Sequence, residues 1–139
     1  MRSMILACVL LLPACAGAGG SPAPADSGPA YGKFDGSRVE RADPNAFPLI
    51  VVSVDGRDML GMSTEVRLAP GFHYLHVASA KPGARGELSF QPMAIEVAPC
   101  TNYYFHAFHD AKQLSNRQWR IVEDGTRVRA DCDPAAATK

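Results

Sequence analysis

The chain has 139 residues, enough for one folded domain, and 47% of them are apolar while 20% are charged, which is typical of a globular protein and not of a disordered one. Its 14 basic and 14 acidic side chains cancel. Because no net charge attracts a polyanion, we predict no nucleic-acid partner.

The first residues have the features of an export signal. Arg2 gives a positive start, and Ile5 to Leu12 form an apolar run that is much shorter than the roughly 20 residues that span a bilayer. Small residues follow the run, as signal peptidases require. We therefore predict a signal peptide over residues 1–14.

The signal ends in Leu12-Pro13-Ala14-Cys15, which resembles the bacterial lipobox. The resemblance implies cleavage before Cys15, lipidation of its thiol and attachment to a membrane through the lipid. Ala16 is not the aspartate that retains such lipoproteins in the inner membrane, so the resemblance implies a bacterial cell envelope location at the outer membrane. The alternative is an ordinary cut near Ala16 or Ala18, which would release a secreted soluble domain.

Residues 15–33 follow as a lipidated cysteine and a flexible linker. Gly, Ala, Pro and Ser dominate this stretch, and such a composition gives a tether with a root-mean-square reach of roughly 20 to 25 Å. We predict a folded domain over residues 34–133 and a disordered tail over residues 134–139.

Within the folded part, short apolar runs with alternating polarity are separated by turn residues, which is the pattern of β-strands. Asp55-Gly56 and Pro70-Gly71 predict two of the turns, and residues 109–118 predict a loop or one short helical turn. The predicted strands are Leu49–Val54, Glu65–Leu68, Phe72–Val77, Leu88–Phe90, Met93–Val97, Asn102–Phe108 and Trp119–Val122. The predicted fold is all-β, a small antiparallel β-sandwich of about seven strands.

Val52 to Gly56, followed by Val66 to Val77 with its Pro-Gly turn and His-x-Leu-x-Val strand, resembles PEGA-type and carboxypeptidase-regulatory-like β-sandwich modules. The ending around Pro99-Cys100 resembles small bacterial lipoproteins. These resemblances imply a binding or scaffold module, with another envelope protein or a glycan as its partner. The chain contains no nucleotide-binding, serine-hydrolase, metalloprotease or dithiol motif, so we predict no enzymatic activity and no cofactor.

Cys100 and Cys132 are the cysteines that remain if Cys8 leaves with the signal and Cys15 carries lipid. Export brings the pair into an oxidising compartment, so we predict a disulfide bond between them.

The main alternative function is that of a periplasmic protein that binds copper or zinc. The four histidines form two His-x-x-His pairs, His73/His76 and His106/His109, and imidazole suits both metals. Residues three apart on a strand point to opposite faces, however, so neither pair can chelate alone. We predict no metal site, and a buried, hydrogen-bonded His73.

Five aromatic residues near the end of the chain have two interpretations. Alternation places half of them in the core, while the other half forms either further core or an exposed patch for a protein or glycan. They are Tyr103, Tyr104, Phe105, Phe108 and Trp119.

Overall fold

A computed structural model describes residues 30–37, 43–110, 112 and 117–135 of the chain. These residues are all-β and contain no helix that is long and apolar enough to cross a membrane. The strands of this part of the chain are β1 (Gly32–Asp35), β2 (Ala46–Phe47), β3 (Leu49–Val54), β4 (Arg57–Ser63), β5 (Glu65–Leu68), β6 (Gly71–Ser79), β7 (Ser89–Val97), β8 (Thr101–His109) and β9 (Trp119–Val128). The predicted all-β class is confirmed, with nine strands in place of about seven.

The strands form two sheets that pack as a sandwich. In the first sheet, β8 pairs with β9 along one side, and with β1 and β2 at successive positions along the other. The β1–β8 pair is parallel, and β5 continues the sheet beyond β1. The second sheet is antiparallel, in the order β4-β3-β6-β7.

The core lies between the two sheets and follows from the alternation of the strands. On β6, Leu75 and Val77 are buried, while Tyr74 and His76 on the opposite face are exposed. Phe34 of β1 stacks on Phe105 of β8 at a centroid distance of 5.2 Å in the middle of the first sheet. The buried core cluster consists of Phe34, Leu49, Val51, Val66, Leu68, Leu75, Val77, Ile95, Val97, Phe105, Ala107 and Trp119.

Two predicted strands are one strand in the structure. Leu88–Phe90 and Met93–Val97 are joined through Gln91 and Pro92 into β7, which pairs continuously with β6. A proline interrupts a strand pattern because it lacks an N–H donor, but edge strands tolerate it. In the described residues β7 is the edge of its sheet. The strand therefore continues through Pro92, although the sequence pattern is interrupted there.

The predicted Asp55-Gly56 turn is confirmed, and it creates a strand that the pattern missed. Both residues have positive φ, 50° and 75°, as the two-residue type I′ hairpin requires. The turn pairs β4 with β3, although β4 does not alternate between apolar and polar residues. β1 was missed for a similar reason, because it has one large apolar residue, Phe34, and it begins at Gly32, inside the segment predicted as linker.

Cys100 and Cys132 lie at disulfide distance, with their Cα atoms 5.6 Å apart. Cys100 also accepts a hydrogen bond from the Arg129 N–H and donates its own N–H to the carbonyl of Ala30. The cysteine pair therefore lies where β8 begins, β9 ends and the described part of the chain starts.

We expect Cys100→Ala to lower the melting temperature by roughly 10 °C or more. A cross-link over this sequence separation of 32 is worth about 2 to 4 kcal/mol, and 1 kcal/mol corresponds to roughly 4 to 8 °C in a domain of this size. Calorimetry of the variant, and of wild type with and without reductant, measures the effect. Equal melting temperatures for oxidised and reduced wild type would contradict the predicted bond.

Candidate binding surface and histidine sites

The outward face of the second sheet carries exposed aromatic side chains. Phe72 and Tyr74 of β6 are 58% and 65% exposed, and Phe90 of β7 is 50% exposed. The rings of Phe72 and Tyr74 meet edge to face at a centroid distance of 5.1 Å, and the His76 ring lies 5.8 Å from that of Phe90. We call Phe72, Tyr74 and Phe90 the aromatic face.

Strand alternation on β6 and β7 produces this face. Leu75 and Val77 point into the core, so Phe72, Tyr74 and His76 must point outward. On β7, the buried Ile95 and Val97 likewise turn their even-numbered neighbours outward. Single exposed apolar residues are common on protein surfaces, but a contiguous group of them marks a contact surface.

The edge of the same sheet adds two more exposed apolar residues. Asp58 is opposite Ser53 and Ser63 is opposite Val51, so the four residues Met59–Met62 stand opposite Val52 alone and form a bulge. Leu60 and Met62 in this bulge are 95% and 65% exposed. A bulge of this kind blocks pairing of β4 with a further strand, which favours contact through the face of the sheet over contact through its edge.

The five aromatic residues for which the sequence left core and exposed patch open are buried or half-buried in the structure. Phe105 and Trp119 are buried in the core, while Tyr103, Tyr104 and Phe108 are half-buried. Phe108 lies under the guanidinium of Arg120, 4.7 Å from its ring centroid. The available signal was the alternation of Phe72, Tyr74 and His76, which the sequence already places on one face.

His73 is largely buried and hydrogen-bonded, as predicted, with its side chain 15% exposed. Its Nδ1 lies 2.7 Å from Asp55 Oδ2 and its Nε2 lies 2.8 Å from the carbonyl of Ala69. Asp55 Oδ1 accepts the N–H of Tyr74. Desolvation raises the pKa of Asp55, but the hydrogen bonds from Tyr74 and His73 outweigh it and lower the pKa overall. His73 thus joins the Asp55-Gly56 turn to β6.

His109 is the one histidine in the described core, 1% exposed. Its Nε2 lies 2.7 Å from Ser79 Oγ, its ring stacks on Trp119 at 6.1 Å, and its Nδ1 has no hydrogen-bond partner. Burial, and then the charge of Lys81, lower the pKa of His109. Ser79 is also fully buried, so this serine–histidine pair cannot reach a substrate.

The remaining histidines have separate environments. His106 Nδ1 lies 2.9 Å from both carboxylate oxygens of Asp124, on the outward face of the first sheet, and His76 lies against Phe90. Each His-x-x-His pair therefore splits across two faces, as the strand pattern predicted. The described residues contain no group of three or more His, Cys, Asp or Glu side chains able to hold a metal ion.

Cys15 and the predicted export signal lie outside the described residues, as does most of the predicted linker. Comparison with family models, curated proteins and solved structures found no match to the chain. A proposal about function therefore depends on the sequence and on the surface chemistry of the domain.

We expect stability to fall as the pH drops below about 6.5, the ordinary pKa of histidine. Because burial lowers the pKa of His109 in the folded state, the unfolded chain binds the proton first, and stability is lost from about pH 6.5 down to the folded pKa. Asp55 adds a further loss around and below pH 3.8, because its folded pKa is also lowered.

Urea unfolding of wild type and His109→Phe at pH 7.5 and 5.5 measures this effect. His109→Phe should be less stable at pH 7.5, because the contact with Ser79 is lost, but the difference between the two pH values should shrink. His76→Gln, a change on the exposed face, is the control and should retain the full difference. A variant His109→Phe with the same pH dependence as wild type would show that another group is responsible.

Proposed function

We propose that this protein is a lipid-anchored binding module of the bacterial cell envelope that acts by contact and not by catalysis. The observation that carries the proposal is the aromatic face: the exposed rings of Phe72 and Tyr74 are in contact, and the exposed ring of Phe90 lies beyond His76 on the same face of the sheet. A group of large apolar side chains on a protein surface typically marks a site that a partner covers.

The lipobox-like Leu12 to Cys15 supports the location. Lipid attached at Cys15 would hold the domain at a membrane, since each buried methylene contributes about 0.8 kcal/mol. Only 14 residues separate Cys15 from Ala30, where the described domain starts. Their root-mean-square reach is about 20 Å, so the domain would work close to the bilayer.

Among the partners expected from sequence, a protein surface fits the aromatic face better than a glycan. The planes of Phe72 and Tyr74 are inclined by 78°, whereas stacking against successive sugar rings favours a flat platform. Edge-to-face rings instead give the uneven relief that packs against side chains. The buried state of Ser79 and His109 is consistent with a role that involves no catalysis.

The anchor is tested by Cys15→Ser. We expect the variant to lose metabolic labelling with palmitate and to move from the membrane fraction to the soluble fraction, while wild type is labelled and sediments with membranes. An unlabelled, soluble wild type would instead support the secreted-domain alternative.

The contact surface is tested by Tyr74→Asp in intact cells treated with formaldehyde. We expect wild type to appear in a cross-linked species of higher mass and the variant to lose most of it, because a carboxylate in the aromatic face must be desolvated on binding. Val128→Asp is the matched control, since Val128 is a 73% exposed apolar residue at the end of β9. Loss of the species in both variants, or in neither, would argue against the aromatic face as the contact surface.

A further inference from the structure

We infer that the partner of the aromatic face is a second copy of this chain, packed sheet against sheet about a two-fold axis that runs along β6. This inference rests on the proposed function, because it names the partner of the same surface. It follows from the shape of the face, from its register and from the place where the chain joins the domain.

The shape of the face suits another sheet. Sheets that stack face to face lie about 10 Å apart with their strands nearly aligned, so the outward face of one copy can pack against the same face of another. Four strands spaced by about 4.8 Å, with a rise of about 3.3 Å per residue along β6 and β7, give a face of roughly 500 Å². Two copies would bury roughly 1,000 Å², the lower limit for a specific interface.

The register makes the face complementary to itself. Ile50 of β3, Ala78 of β6 and Phe90 of β7 lie in one row across the sheet, with the small, fully buried Ala78 between two larger side chains. A two-fold axis along β6 exchanges the two sides of this row. Phe90 of each copy then lies over Ile50 of the other, so that a large ring meets a smaller aliphatic side chain on both sides of the axis.

The same axis places Phe72 and Tyr74 of one copy over the equivalent residues of the other. Their offset, edge-to-face rings leave room for interdigitation, which aromatic pairs prefer over direct stacking. In the next row, Ser53 lies opposite His76 and His76 lies opposite Pro92. The rotation thus puts the small hydroxyl side chain of Ser53 over Pro92 and brings the two His76 rings together at the axis.

The membrane anchors favour this axis over one perpendicular to the strands. The Cys100 N–H donates to the Ala30 carbonyl. Val97, which shortly precedes Cys100 in the chain, pairs with Gly71 at the start of β6. The chain therefore joins the domain at the end of the sandwich where β6 begins. An axis parallel to β6 keeps both of these ends on the same side of the dimer, so two short tethers reach one bilayer.

Confinement to a membrane also compensates for the modest area. Two copies anchored in one bilayer meet at a high effective concentration, and a weak contact is then occupied without additional interactions. The geometry consequently predicts an association that is strong for anchored chains and weaker for the same domain in dilute solution.

The test places a photo-crosslinking benzoylphenylalanine at position 90 or 74 of the full chain in its own cells. From position 90, we expect a band at twice the monomer mass in which the cross-linked peptide contains Ile50 of a second copy. From position 74, the cross-linked peptide should contain β6. The same group at position 128 should give no self-cross-link, and Tyr74→Asp should reduce the position-90 dimer at least tenfold, while Val128→Asp leaves it unchanged.

Cross-links from position 90 to a different protein, to lipid or to no partner would overturn the inference, and so would a dimer cross-linked elsewhere than β3. A cross-link to a different protein would leave the proposed binding function intact, because the formaldehyde experiment with Tyr74→Asp would still succeed. If wild type is not labelled with palmitate, the lipid anchor is refuted, and this result does not depend on what position 90 contacts. The two proposals can therefore fail separately.

Discussion

The stacking of Phe34 on Phe105 is the contact on which the rest of the sandwich depends. It joins β1 to β8 across the parallel pair, and β1 in turn holds β5 while β8 holds β2 and β9. Phe34 is fully buried although its strand has only four residues. Because these two rings fill the middle of the first sheet, the second sheet can close the core with its inward side chains alone, which leaves its outward face available.

The two outward faces of the sandwich differ in how far their apolar side chains are covered. On the first sheet, the Lys33 ammonium lies 2.8 Å from the Glu65 carboxylate, and the ring of Phe108 is covered by Arg120. An ion pair and a cation that covers an aromatic ring thus reduce the apolar area that this face exposes to water. On the second sheet, no comparable group covers Phe72 and Tyr74 among the described residues, and both side chains are more than half exposed.

Local sequence patterns predict the elements whose own residues alternate between apolar and polar or encode a turn. Alternation along β6 gave its strand and both of its faces, and Asp55-Gly56 gave the hairpin because its backbone geometry is encoded by those two residues. Patterns failed where pairing with distant strands decides the structure. Phe34 sits in a strand that exists because β5 and β8 flank it, and the bulge at Leu60 depends on how β4 meets Val52. The outward direction of Phe90 follows from alternation along β7, but the sequence pattern did not extend through Pro92 and so did not join Phe90 to the rest of this strand.

The contacts of Tyr31 at the start of the described residues have a mechanical consequence. Tyr31 lies beneath the guanidinium of Arg129, 3.9 Å from its ring centroid, and Arg129 donates to the Tyr31 carbonyl at 3.3 Å and through its own N–H to Cys100. A pulling force applied upstream of Ala30 would therefore reach the Cys100–Cys132 pair within a few ångströms. These non-covalent contacts would carry the load first, and the hydrogen bonds between β1 and its neighbours would be sheared only after the contacts break.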